Sequence, residues 1–188
     1  MAISPQNATQ ERLRQLLPQL FTPQQLAGKL YLRCAVGGNS VLVEITQIDE
    51  SLLVEAEKIT PIPQMPPHVM GLINSRQRVF FVVDLPQFLG FEPLPHNSRR
   101  YHILVAEKTA GGHNPLFLGL AVNRIEGVTR ILPEDSLSSE ESEKAQQTTE
   151  TTKHQLLALY IHSWQKCPQG RLPVLNVDQI LEEVVKES

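Results

Sequence analysis

The chain has 188 residues, 41% of them hydrophobic and 20% charged, with a formal net charge of −3. That composition suits one domain, or two small sub-domains, with a real core. It leaves no dominant basic surface for nucleic acid and no apolar run near the ~20 residues of a membrane span.

The N-terminal "MAISPQNATQER" lacks the basic-then-apolar order of a secretory signal. The two cysteines, Cys34 and Cys167, make no disulfide framework. The expected compartment is the cytoplasm. Fourteen prolines against ten glycines favour short strands and turns, and with aromatics at only 5% Val, Ile and Leu must build most of the core.

In chain order, residues 11–21 place Leu13, Leu16, Leu17 and Leu20 on one helical face, with Pro18 shortening or breaking that helix. "TPQQLAG" predicts a capped helical turn, Thr22 as N-cap, Pro23 at the first position, Gln25 completing a capping box and Gly28 as the stop. These make an N-terminal helical extension over residues 1–28.

From Leu30 the period shortens. "LYLRCAV" and "VLVEI" flank "GGNS", whose paired glycines suit the positive φ of a tight hairpin. "SLLVEAEKITPIP" predicts a strand running into a proline-rich turn, and "HVMGLIN" and "RVFFVVDL" two more strands around the polar tip Ser75-Arg76-Gln77-Arg78. In "DLPQFLG", Asp84 caps a helical turn, with Pro86 and Gln87 inside it and Gly90 at its end.

The second half repeats this order: "RYHILVAEK" and "PLFLGLAV" around "TAGGHN", then "NRIEGVTRILP", a strand candidate in "QLLALYIHSW", and "RLPVLNVDQILEE". Asn176 stands where Asp84 does, and Gln179 where Gln87 does. Gly111 follows Gly37 at an offset of 74, Val122 follows Ile45 at an offset of 77, and Asn176 follows Asp84 at an offset of 92. The jump of 15 (92 − 77) places extra chain between about 126 and 171. Residues 134–154 supply it, and with only Leu137 and Ala145 apolar they are expected to be an exposed, mobile insertion. Two pseudo-repeats of about five strands predict two small closed barrels, since closure removes free edges. A unit of about 60 residues has a thin core, so the barrels should share apolar surface.

No pattern supports catalysis. His68, His96, His102, His113, His154 and His162 show no metal-ligand spacing, and the chain has no phosphate loop, no dinucleotide fingerprint and no nucleophile elbow. Neither a metal nor a cofactor is expected. Asp84 could be drawn as a general base, but its place before "LPQ" favours the cap. What remains to act is the surface.

The stretch "ITPIPQMPPHVMGLINSRQRVFFVVDLPQFLG" resembles the CheW family, the adaptors of bacterial chemotaxis-type signalling. A proline-flanked turn, Gly71, Asn74, Arg76 and the pair Asp84-Leu85 stand where that family has Gly-φ-φ-Asn-Leu-Arg-Gly, an apolar strand and Asp-Leu. "LFLGLAVNRIEGV" and "RLPVLNVDQILEE" extend the resemblance over about residues 29–182.

The resemblance implies an all-β fold of two intertwined five-stranded barrels with short helices, and no enzymatic activity. It implies partners too: the regulatory domain of a CheA-type histidine kinase and the cytoplasmic tip of a methyl-accepting chemoreceptor, with no insertion into the membrane. Carried over residue by residue, partner binding falls on Arg76, on Ile48 and Glu50, and on Gly71 and Asn74 of the same loop.

The chain departs from the family in having Ser75 and Gln77 around the arginine, the insertion at 134–154 and the helix at 11–21. These departures fit a specialised member, such as a PilI-like one serving pilus motility or phototaxis. The alternative is a regulatory binding module outside chemotaxis that uses the N-terminal helix.

Overall fold

The computed structural model describes residues 27–108, 115–132, 155–167 and 170–187. The expected helices at 11–21 and 22–28, the Gly-Gly turn at 109–114 and the insertion at 134–154 lie largely or wholly outside those residues. The described chain forms ten strands: β1 Lys29–Val36, β2 Asn39–Glu44, β3 Ile48–Glu55, β4 Val69–Ser75, β5 Arg78–Asp84, β6 Arg100–Lys108, β7 Leu116–Val122, β8 Arg124–Ile131, β9 Ile161–Cys167 and β10 Gly170–Leu175. Three α-helices accompany them, α1 Leu85–Phe88, α2 Gln155–Leu159 and α3 Val177–Glu187, with single 3-10 turns at Ile45–Gln47 and Ala56–Lys58. No helix among the described residues is long and apolar enough to cross a membrane.

The strands make two five-stranded sheets, ordered β8-β1-β2-β10-β9 and β3-β6-β7-β5-β4. The fold is the all-β, intertwined pair expected, but a sheet is not one repeat. Each takes the first two strands of one half and the last three of the other. The repeat is visible in the register. Val174 pairs in parallel with Leu42. Their counterparts at the offsets of 92 (174 − 82) and 77 (119 − 42), Val82 and Gly119, also pair in parallel. The bulges repeat too. The β3–β6 register shifts at Asp49, and the β1–β8 register shifts at its counterpart Glu126, again at the offset of 77 (126 − 49).

Turn chemistry sets the hairpins. Gly37 and Gly38 link β1 and β2 with φ of 57° and 84°, the left-handed pair that a tight primed turn needs. Asp84 caps α1 as expected, its Oδ1 accepting from Gln87 N at 2.9 Å, and Asn176 caps α3 the same way, through Gln179 N at 3.2 Å.

One expectation is corrected. "QLLAL" of the strand candidate at 155–164 is α2, and only from Ile161 is the chain extended. Leu157 and Tyr160 are buried there, a spacing of three that suits a helical turn rather than a strand. The last helix runs to Glu187, with Val184 buried on the same face as Ile180 and Leu181.

Each sheet is apolar on both faces. In β6, Ile103 and Val105 join a cluster with Ile59, Ile73, Phe80, Val82 and Tyr101 inside the second sheet. Their neighbours Leu104 and Ala106 face the other way, into the largest cluster. That cluster draws Cys34, Val36, Val41 and Val43 from the first sheet, Val83, Leu118 and Leu120 from the second, and Ile180 and Leu181 from α3. The first sheet has a smaller cluster of its own, Tyr31, Leu42, Ile131 and Val174. Burial on both faces explains the continuous apolar runs of β5 and β6. The shared cluster supplies what two thin cores lack. Past β3, Thr60 exchanges two backbone hydrogen bonds with Leu72, both 2.8 Å, which draws the second sheet's edges together.

Candidate functional site

The candidate site is the tip of the β4–β5 hairpin and the bulge of β3 that faces it. Arg76 and Gln77, the two central residues of the turn, have φ of 48° and 65°. A two-residue turn of this kind needs positive φ at both places and is normally made with Asn or Gly. Neither residue is glycine, so each holds a left-handed backbone at a cost of about 1 kcal/mol or more.

Charge holds the tip in place. Arg78 Nη1 donates to Asp49 Oδ2 at 2.7 Å and Arg78 Nη2 to Glu50 Oε1 at 3.1 Å. Its guanidinium carbon also sits 4.3 Å from the centre of the Phe117 ring, a cation–π contact. Regular strand alternation would send Asp49 and Glu50 to opposite faces. The bulge at Asp49 re-aims the backbone, so both carboxylates reach one guanidinium. The hydrogen bond to Asp49 is the main reason the Arg78 guanidinium is pushed further from deprotonation.

Arg76 completes the group, its Nη1 lying 3.0 Å from Glu50 Oε2. That contact is an ion pair without hydrogen-bond geometry. The exposures separate the roles. The side chain of Glu50 is 8% exposed, that of Arg78 26% and that of Arg76 73%. Arg78 and Glu50 form a closure at one end of the second sheet. Arg76 stands out from it, held from below by a nearly buried carboxylate, with its remaining donors in solvent.

The other expected residues divide. Asn74 is exposed on β4 beside the tip. Gly71 is buried, at φ 145°, and a Cβ there would overlap the Thr60 carbonyl, so its place is structural. Ile48 is partly buried against the shared core. Sequence reasoning did not single out Arg78, Asp49 or Phe117 as members of one group. Two arginines within three residues, and successive carboxylates at 49 and 50, were the available signal. The bulge and the ring lie far away in sequence and gave none.

Asp84 is 3% exposed, and its second oxygen accepts from Leu94 N at 2.7 Å. It borders a cavity of about 350 Å³ lined also by Ile59, Pro61, Met70, Leu94 and Tyr101. Burial raises its carboxyl above the ordinary aspartate value, partly offset by the two backbone donors and by His96 and His68. Both oxygens serve backbone, and the Tyr101 hydroxyl donates to the Pro95 carbonyl at 2.8 Å. These groups hold the loop at 85–95. Among the described residues no group of three His, Cys, Asp or Glu is placed to hold a metal ion.

Residues 30–184 match the family described as the CheW-like domain. The chain is 28% identical over 142 residues to the chemotaxis protein CheW of Thermotoga maritima, covering 72% of this chain and 78% of that one. The solved scaffolding protein TtCheW of Thermoanaerobacter tengcongensis superposes with a TM-score of 0.60 at 18% identity, over 81% of this chain and 87% of that one. The structural likeness bears on the fold.

Proposed function

The chain belongs to the CheW-like domain family, and on that premise we propose that it is a non-enzymatic adaptor of chemotaxis-type signalling, joining a CheA-type histidine kinase to a chemoreceptor or equivalent sensor. The match across residues 30–184 carries this reading. The relatives in the comparison are named a chemotaxis protein and a scaffolding protein, which supports the same role.

Arg76 is the contact point we assign to a partner. Its charged head is solvent-exposed on a strained two-residue turn, and Glu50 fixes its direction. A guanidinium presented this way can bond a partner's carboxylate or backbone carbonyls in one orientation. Asn74 flanks it. Glu50 and Ile48 act from behind, one aiming the arginine and the other seating the bulge on the core. The adaptor then works by geometry: by holding kinase and sensor together it couples their states through binding free energy. It would do so in the cytoplasm, beside receptor complexes.

The test is equilibrium binding of the purified full chain to the regulatory domain of a CheA-type kinase from the same organism. Binding at or below tens of micromolar, weakened about tenfold or more by Arg76→Ala in a variant that still unfolds cooperatively, is the expected result; a loss of about 1.4 kcal/mol corresponds to that factor. Absence of binding at those concentrations would sink the kinase assignment. Equal binding by the Arg76→Ala variant would remove Arg76 from it.

A further inference from the structure

Beside the start of β1, several exposed apolar side chains stand together. Leu30 is 38% exposed, Val128 60% and Leu132, just past β8, 36%. Leu30 pairs with Arg130, and Leu32, partly buried on the shared core, pairs with Val128. The side chains of Leu30, Leu32 and Val128 therefore share one face, which continues the shared core out past its covered part.

The internal repeat supplies a control. By the same pairing, the second sheet has His102 and Ser51 in the places of Leu30 and Val128, and Glu55 takes the place of Leu132 at the offset of 77 (132 − 55). Of this group only Leu53, opposite His102, is a large exposed apolar residue on that side. The shelf belongs to this sheet, not to the fold.

The chain itself indicates what covers the shelf. Twenty-six residues precede Ala27, and they enter at this spot. Gly28, at φ 103°, passes so close to β8 that a Cβ on it would overlap the Ile131 carbonyl and press on Leu132. Arg130 Nη1 lies 3.4 Å from the Gly28 carbonyl. The described chain therefore begins against Leu132 and Arg130. The preceding segment's apolar residues Leu13, Leu16, Leu17, Leu20 and Phe21 fall within eleven positions. Eleven residues of helix are about 16 Å long, close to the ~13 Å from Val128 to Leu132 along a strand. The eight residues from Thr22 to Lys29 can span roughly 26 Å, which is reach to spare.

We propose that residues 11–21 of this chain dock their leucine face on the shelf formed by Leu30, Val128 and Leu132. Burying those side chains removes exposed apolar surface from water on both sides of Arg130. An isolated helix of this length, with Pro18 inside it, is marginal in water. Order in residues 11–21 thus requires a surface to lie on.

The experiment is hydrogen–deuterium exchange of the full chain, read on peptides covering residues 11–21. Protection of about tenfold or more over the unstructured rate is expected. It should be the same at low and high protein concentration, and lost in Val128→Asp and in Leu30→Ser while β6 and β7 keep their protection. Since both positions are exposed, at least one variant should retain the fold. Unprotected residues 11–21 in the unmodified chain would overturn the proposal. So would protection that survives both substitutions, or that grows with concentration, which would assign the shelf to a second copy.

Discussion

Asp49 and Glu126 occupy the same bulge in the two sheets, and each grips arginine. Asp49 takes Arg78 from the hairpin opposite. Glu126 takes Arg33 at 3.1 Å and Arg124 at 2.9 Å, with the Ser40 hydroxyl donating to it at 2.9 Å. One backbone device, used twice, has become an arginine-bearing tip on one sheet and a local tie on the other.

Hydrogen bonds from Arg124, then Ser40, hold the Glu126 carboxyl below its ordinary value. A depressed folded value means stabilisation that is complete above the ordinary glutamate range and lost as pH falls through the folded value. Glu126→Gln should therefore flatten part of the acid limb of a urea-melt stability profile while leaving its neutral-to-alkaline limb parallel to that of the unmodified chain. Parallel acid limbs would show that the tie contributes nothing.

The two arginines of the tip should separate stability from binding. Arg78→Ala leaves Glu50 nearly buried with only an exposed partner, and should lower the denaturant midpoint by clearly more than Arg76→Ala does. Arg76→Ala removes a surface pair and should cost no more than about 1 kcal/mol. If the two variants unfold at the same denaturant concentration, Arg78 is not the closure.

Gln77 sits at φ 65° where glycine would be relaxed. Gln77→Gly should raise stability by about 0.5–1 kcal/mol, since the left-handed strain exceeds the added entropy of the unfolded chain. A lower midpoint in the same melt would mean the turn is not strained.

Asp84→Asn can satisfy one of the two backbone donors but offers an amide N–H to the other. A loss of about 1–3 kcal/mol is expected. Because burial raises the folded value of this acid, its contribution is most favourable below the ordinary aspartate value. It falls as pH rises toward the raised one and is flat beyond. The asparagine variant should lack that fall. A melt series across mildly acidic pH reads both effects, and an identical profile would deny the cap its burial.

Cys34 is fully buried, and burial, helped by Glu126, pushes its thiol up to about 12. A thiol reagent at mildly alkaline pH should leave Cys34 unmodified in the folded protein and reach Cys167 alone, with Cys34 reacting on unfolding. Rapid native labelling of Cys34 would mean that the shared core opens readily.

Local chemistry is legible in the order of the residues. Gly37-Gly38 needs only its own backbone to turn, and Asp84 and Asn176 need only the next three residues to cap. The half-to-half repeat also survives in the spacing, because both halves carry the same order of strands, bulges and cap. Composition kept the chain all-β, since apolar runs of five to seven residues between turns are too short to pack as long helices. What required the tertiary structure was anything joining distant residues. Sequence distance does not say that β8 belongs beside β1 rather than with its own half. Nor does it say that Phe117 meets Arg78, or that Leu30 and Val128 share an uncovered face. Those relations come from how two sheets divide the strands between them. Among the described residues, one cluster shared by both sheets, larger than the cluster inside either, decided that division.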